Sequence, residues 1–214
     1  MKQFFLKQQG SEDLNLFFAG FGQDERPFLK FDYNCDCAIV YDYRSLSFDE
    51  SLYSSYANIK LIAWSMGVMM ASLCLGNSKL VLSGGSLAIN GTLEGIDATY
   101  GIAPELWQAT QEGLNETSLE KFYRRLCPLG EAEQYLKDRP QRPLCELKSE
   151  LLALYEYSRH PRPDFSYDLA IVGSKDRIVA PSNQKNSWSK HHTPVLEGSY
   201  AHYAPNLLAK VLRA

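Results

Sequence analysis

The sequence predicts an α/β fold with a mostly parallel central sheet, and three observations carry that expectation. Short apolar runs alternate with helix-capable segments, the pattern of strands that each lie beneath a covering helix. One run ends abruptly at Ser65, between Ala63 and Gly67, and continues at once as an apolar, helix-compatible stretch. A charged, helix-rich stretch over residues 95–160 separates the last two strand-like runs from the earlier ones. With 214 residues, 45% hydrophobic and 22% charged, the chain suffices for one sizeable core. Residues 1–214 are therefore expected as one domain, with 95–160 as a helical lid inserted before the last two strands.

Taken in order, residues 4–7 are expected as an edge strand and 14–19 as a stronger one that ends at Gly20-Phe21-Gly22. Residues 37–43 form the next strand, and the section between Tyr43 and Lys60 is too short for a long helix, so the sheet should be trimmed. Residues 61–64 lead into the serine turn. The following helix should stop at Gly76-Asn77, where a flexible residue suits a helix end. Residues 79–85, Lys-Leu-Val-Leu-Ser-Gly-Gly, read as a further central strand. Turn signals at Pro104, Pro128-Leu129-Gly130 and Pro143 divide the lid. Strands are expected again over 167–173 and 193–198, with a final helix from Pro205.

Charge and composition narrow the function. A net charge of -3 excludes a general affinity for nucleic acid or anionic membrane, both of which need a strong positive field. No apolar run reaches membrane-spanning length and the first residues lack a cleavage signature, which points to the cytoplasm. The five cysteines include no C-x-x-C pair, so neither a disulfide framework nor a structural zinc site is indicated. Cys35-Asp36-Cys37 reads as the entry to a buried strand.

Chemistry concentrates at strand ends. Ala63-Trp64-Ser65-Met66-Gly67 has the form of a nucleophile elbow, in which the apex residue is strained and its neighbours must be small. Ala63 stands where the common G-x-S-x-G pattern has glycine. Taken alone, the motif also reads as a serine capping a helix. Asp176, just beyond a central strand, suits an acid that orients a histidine, although aspartate is also a common turn residue. His202 lies on the loop after the last strand, whereas His191 and His192 precede that strand and His160 sits in a Pro-rich hinge. The order Ser65, Asp176, His202 is that of the α/β-hydrolases. Gly20-Phe21-Gly22 adds a glycine-rich turn after an early strand. It is either a simple tight turn or, with Phe21 and Met66 supplying backbone N–H donors, an oxyanion hole. Four signals in the right chain order favour the catalytic reading.

At these residues the chain resembles the BioG type of pimeloyl-[acyl-carrier protein] methyl ester esterase. Phe18-Ala19-Gly20-Phe21-Gly22, Tyr41-Asp42-Tyr43, Ala63-Trp64-Ser65-Met66-Gly67, the Asn90-Gly91-Thr92 to Gly95-Ile96-Asp97 stretch, Tyr100-Gly101-Ile102 and Gly173-Ser174-Lys175-Asp176 carry the likeness over nearly the whole chain. The resemblance implies an α/β-hydrolase of biotin synthesis that removes the methyl group from pimeloyl-acyl carrier protein methyl ester without metal or organic cofactor. Composition and spacing by themselves show only a serine hydrolase. A generic short-chain carboxylesterase or thioesterase, and a non-catalytic scaffold of the same fold, are the competing readings.

A partner follows from the resemblance. Acyl carrier proteins are acidic and present the acyl chain on a phosphopantetheine arm. Lys121, Arg124 and Arg125 recur on one helical face, and Arg139, Arg142, Arg159 and Arg162 follow around turns. Arg124, Arg125, Arg142 and Arg159, with Gly20, Gly22 and Trp64, are therefore expected to contact substrate or carrier. The alternative is a solvated face whose charges pair with Glu131, Glu133 and Glu146.

Overall fold

The computed structural model describes residues 1–213. Seven strands form one sheet: β1 (Lys2–Lys7), β2 (Asp13–Phe18), β3 (Asp36–Tyr41), β4 (Asn58–Trp64), β5 (Ser86–Ile89), β6 (Leu169–Gly173) and β7 (Val195–Gly198), in the spatial order β1-β3-β2-β4-β5-β6-β7. Only β1 runs antiparallel, along β3; every other pairing is parallel. A parallel sheet covered on both faces needs strands that are apolar on both sides. Leu14 to Phe18 and the whole of β3 are accordingly buried. β7 is the outer strand, and its Leu196 is 54% exposed.

Helix α1 (Met66–Leu75) follows β4 directly, with eight of its residues buried. A helix apolar on every side belongs inside a core. Gly76 ends it with a right-handed φ of -62°, so a left-handed cap is not the reason for this glycine. A Cβ there would lie 2.4 Å from the Pro163 ring. The connection from β3 to β4 holds only a short 3-10 turn, Glu50–Tyr53, capped by Asp49.

The expectation of a strand over 79–85 is wrong. Strand β5 starts at Ser86, and Val81 is 74% exposed. Gly85 turns with φ +83° and Gly84 N–H donates to Ile59 O, so the two glycines deliver the chain into the sheet after the apolar run rather than ending it.

Between β5 and β6 lie α2 (Pro104–Gly113), α3 (Glu116–Leu126), α4 (Ala132–Lys137) and α5 (Leu144–Ser158). An Asn115/Ser118 capping box starts α3, which satisfies two otherwise orphaned N–H groups. It buries Leu119, Tyr123 and Leu126, three residues at helical spacing. Helix α6 (Pro181–Lys190) packs on β6, and α7 (Pro205–Arg213) reaches the middle of the sheet, where Asn15 of β2 and Lys60 of β4 donate to its Leu212 and Val211 carbonyls. Among the described residues no helix is long and apolar enough to cross a membrane.

Candidate active site

Ser65 sits between β4 and α1 with φ 60° and ψ -130°, a conformation that costs on the order of 1–3 kcal/mol for a residue other than glycine. The turn closes only because its surroundings are bare. A Cβ on Gly67 would lie 2.2 Å from Phe18 O, and one on Gly91 would lie 2.3 Å from Ser65 O. The Ser65 N–H donates to Ile89 O at 3.0 Å, which pins the strained residue to β5. Ala63 is fully buried on β4, so its methyl group is accommodated where a glycine is usual.

The turn presents the hydroxyl to a histidine. Ser65 Oγ lies 2.8 Å from His202 Nε2, and His202 Nδ1 lies 2.8 Å from Asp176 Oδ2. The carboxylate can only accept, so Nδ1 donates and Nε2 accepts from the serine hydroxyl. Asp176 also accepts from Ile178 N–H, Val179 N–H and Gln184 Nε2 at 2.7, 3.0 and 2.9 Å. These donors fix its orientation. The His202 carbonyl accepts from Trp64 Nε1 at 2.8 Å and from Asn90 Nδ2 at 3.0 Å. Asn90 Oδ1 in turn accepts from Gly173 N–H at 2.7 Å, so one side chain ties the ends of β5 and β6 to the histidine loop.

The glycine-rich turn approaches the same point. A Cβ on Gly20 would stand 3.0 Å from Ser65 Cβ. Gly22 takes φ +71°, its N–H donates to Glu150 Oε2 at 3.3 Å, and its carbonyl accepts from Tyr123 OH. The Tyr43 hydroxyl donates to Ala19 O at 2.7 Å. The loop is thus held on both sides of Phe21, whose own N–H meets no protein acceptor among the described residues. Phe21, Ser65 and Met66 together line a cavity of about 400 Å³. Leu106, Trp107, Leu114 and Leu151 make its apolar wall, and Lys121, Arg125 and Arg177 add positive charge. An adjoining hollow shares those three basic residues and adds Arg124.

Two residues expected at the substrate do something else. Trp64 is 1% exposed and spends its indole N–H on His202 O, so it supports the histidine from behind. Arg142 is also buried. It bonds Asp42 at 2.8 Å and Glu150 at 2.6 Å, and its Nη1 reaches Gln23 O. A buried guanidinium needs paired carboxylates, and neither partner leaves it facing a ligand. Burial pushes the Glu150 carboxyl up against the opposing pull of Arg142. Burial also acts upward on Asp42, but Arg44 and Arg142 outweigh it and hold that carboxyl below its usual range. Gly20 and Gly22 serve as backbone, through close approach and positive φ. Arg124 is exposed and paired with Glu120 and Glu133 at 3.0 and 2.6 Å. Arg159 closes the end of α5 over the Tyr155 ring, outside the residues lining the Ser65 cavity. Among the described residues no group of three His, Cys, Asp or Glu side chains is placed to hold a metal, and the cysteines are free.

A family model described as "Pimeloyl-ACP methyl esterase BioG" matches residues 1–209. The chain belongs to the BioG family. A BioG-family crystal structure from Haemophilus influenzae superposes over all of both chains with a TM-score of 0.87 and 32% identity. A lipase-esterase related protein from Clostridium acetobutylicum, at 13% identity and a TM-score of 0.66, shares the α/β-hydrolase fold. In sequence, this BioG-family chain is 46% identical over 200 residues to a malonyl-[acyl-carrier protein] O-methyltransferase of Bacteroides fragilis. The match covers 92% of this chain and 41% of that protein, so the chain spans about two fifths of that relative's length.

Proposed function

We propose that this chain is a cytoplasmic serine esterase that hydrolyses pimeloyl-[acyl-carrier protein] methyl ester to pimeloyl-[acyl-carrier protein] and methanol in biotin synthesis. The observation that carries the reading is the hydrogen-bonded series Ser65–His202–Asp176 opening on an apolar cavity with basic residues in its wall. His202 takes the Ser65 proton as Oγ attacks the ester carbonyl, and the Phe21 and Met66 amides stabilise the tetrahedral oxyanion. The C–O bond to methoxide then breaks, and the imidazolium gives its proton to the leaving oxygen. Water, deprotonated by His202, repeats the attack and frees the carboxylic acid and Ser65. Asp176 accepts from Nδ1–H and orients the ring.

Support for the carrier comes from charge. Lys121, Arg124, Arg125 and Arg177 border the two adjoining hollows in a protein whose overall charge is negative, and a local positive field steers an acidic partner. In this reading residues 95–160 act as the lid, with the phosphopantetheine arm lying along its basic wall. One relative is named as a malonyl-[acyl-carrier protein] O-methyltransferase, and removal of a methyl group from a carrier-bound acid is the complementary reaction.

The experiment is a fluorophosphonate labelling of wild type and Ser65→Ala, followed by product analysis with carrier-bound and free pimelate methyl esters. Labelling at Ser65 and methanol release, with the carrier-bound ester preferred, is the expected result. A free carrier thiol as product would mean a thioesterase, equal turnover of both esters a generic esterase, and no labelling a scaffold.

A further inference from the structure

Helix α3 ends against the two loops that carry Asp176 and His202. The last carbonyls of a helix have no partner within it, and here the residues next in sequence to Asp176 and His202 supply the partners. Arg177 Nη2 donates to the carbonyls of Arg124, Arg125 and Cys127 at 3.3, 3.1 and 2.9 Å. The Tyr203 N–H donates to Leu126 O at 2.8 Å. A guanidinium at the negative end of a helix also gains from the helix dipole. Asp176 and His202 stand on separate loops, and their 2.8 Å contact depends on how those loops are spaced. One rigid helix end bonded to both loops sets that spacing.

We infer that Arg177 is a positioning residue, which clamps the Asp176 loop to the end of α3 and so holds Asp176 against His202. The inference rests on the serine-esterase reading. It also makes α3 part of the catalytic frame, although the same helix contributes Lys121, Phe122 and Arg125 to the cavity wall.

The test uses p-nitrophenyl acetate, a neutral ester with no group for a basic side chain to bind, because Arg177 also lines the cavity. Arg177→Met should lower kcat about tenfold, the scale of losing hydrogen bonds from a charged donor, with little change in KM. Arg177→Lys, which keeps charge and a donor, should recover part of the loss. The deciding measurement is a double-mutant cycle with Asp176→Asn. If Arg177 acts through Asp176, Arg177→Met costs little further in that background. A loss that multiplies fully with that of Asp176→Asn, or one confined to KM for the carrier-bound ester, overturns the inference and makes Arg177 a substrate contact. Wild-type protein that fails to label at Ser65 would sink the serine-esterase reading instead.

Discussion

Trp64 and His202 meet twice: the indole N–H donates to the His202 carbonyl at 2.8 Å, and the two ring centroids lie 5.4 Å apart. The residue immediately before Ser65 therefore holds the His202 loop in place, and on the serine-esterase reading that loop carries the general base. Trp64→Phe keeps the packing and deletes the donor. We expect kcat to fall about three- to tenfold with KM nearly constant. A tryptophan forming a wall for the substrate would give the opposite split, a raised KM at steady kcat.

The glycines on either side of the elbow should fail in different ways. Gly67→Ala drives a methyl group onto Phe18 O at 2.2 Å, backbone that has no room to retreat, and should cost on the order of 3 kcal/mol of stability. Gly20→Ala places its methyl 3.2 Å from Ser65 Oγ. Turning the serine away from His202 relieves that contact, and the 3.0 Å approach to Ser65 Cβ needs a shift of a few tenths of an ångström besides. Thermal unfolding should single out the first variant, and turnover of the second should drop at least about tenfold while its melting temperature stays close to wild type.

Arg142→Ala leaves Glu150 and Asp42 buried without their shared cation. Breaking such a pair costs about 3–5 kcal/mol, which for a chain of this size lowers Tm by roughly 10 °C. Calorimetry of the purified variant checks the figure. A Tm within a degree or two of wild type, with a raised KM for the carrier-bound ester, would restore Arg142 to the carrier.

If the proposed carrier docks on the basic wall, Arg124 and Arg125, both exposed beside the cavity, are the arginines to test. Arg124→Glu combined with Arg125→Glu should reduce the preference for carrier-bound over free ester about tenfold, through KM, and flatten its salt dependence. An equal loss on both esters would mean that these residues support α3 rather than the partner.

Glu94 predicts an acid limit to stability. Burial acts upward on its carboxyl, but Ser187, Lys190 and His191 outweigh it and hold it below the usual glutamate range. Lys190 and His191 both lie 2.9 Å from Oε1, and Arg162 donates to the Glu94 carbonyl. A carboxyl depressed in the folded state stabilises above its unfolded pKa, and that contribution fades as pH falls through the lower folded value. Tm of wild type should therefore drop on acidification below about pH 4.5. Glu94→Gln should start lower at neutral pH and show a shallower acid slope.

The elbow was legible because its constraints are local. A strained apex between a strand and a helix needs small residues within two positions, and Ala63 and Gly67 are written beside Ser65. Chain order and strand ends singled out Asp176 and His202, and the fold brings both to Ser65. Misreadings arose where tertiary burial decides. Residues 79–82 and Ser86-Leu87-Ala88-Ile89 each hold three apolar side chains, yet only the latter pair with β4 and β6. Trp64 beside a nucleophile and Arg142 beside a lid both suggest ligand contacts until the partners behind them are seen. Asn90 and Gln184 escaped as support for the histidine and the acid, because hydrogen bonds to residues elsewhere in the fold leave no spacing to detect.

The backbone at Ser65 sets survival against work. A glycine would relax the φ of 60° that serine must endure, so on the serine-esterase reading the residue best for durability is not the residue the chemistry requires. On that reading, a gene copy freed from the need to turn over substrate would find an easy gain in melting temperature at the position that bears the nucleophile.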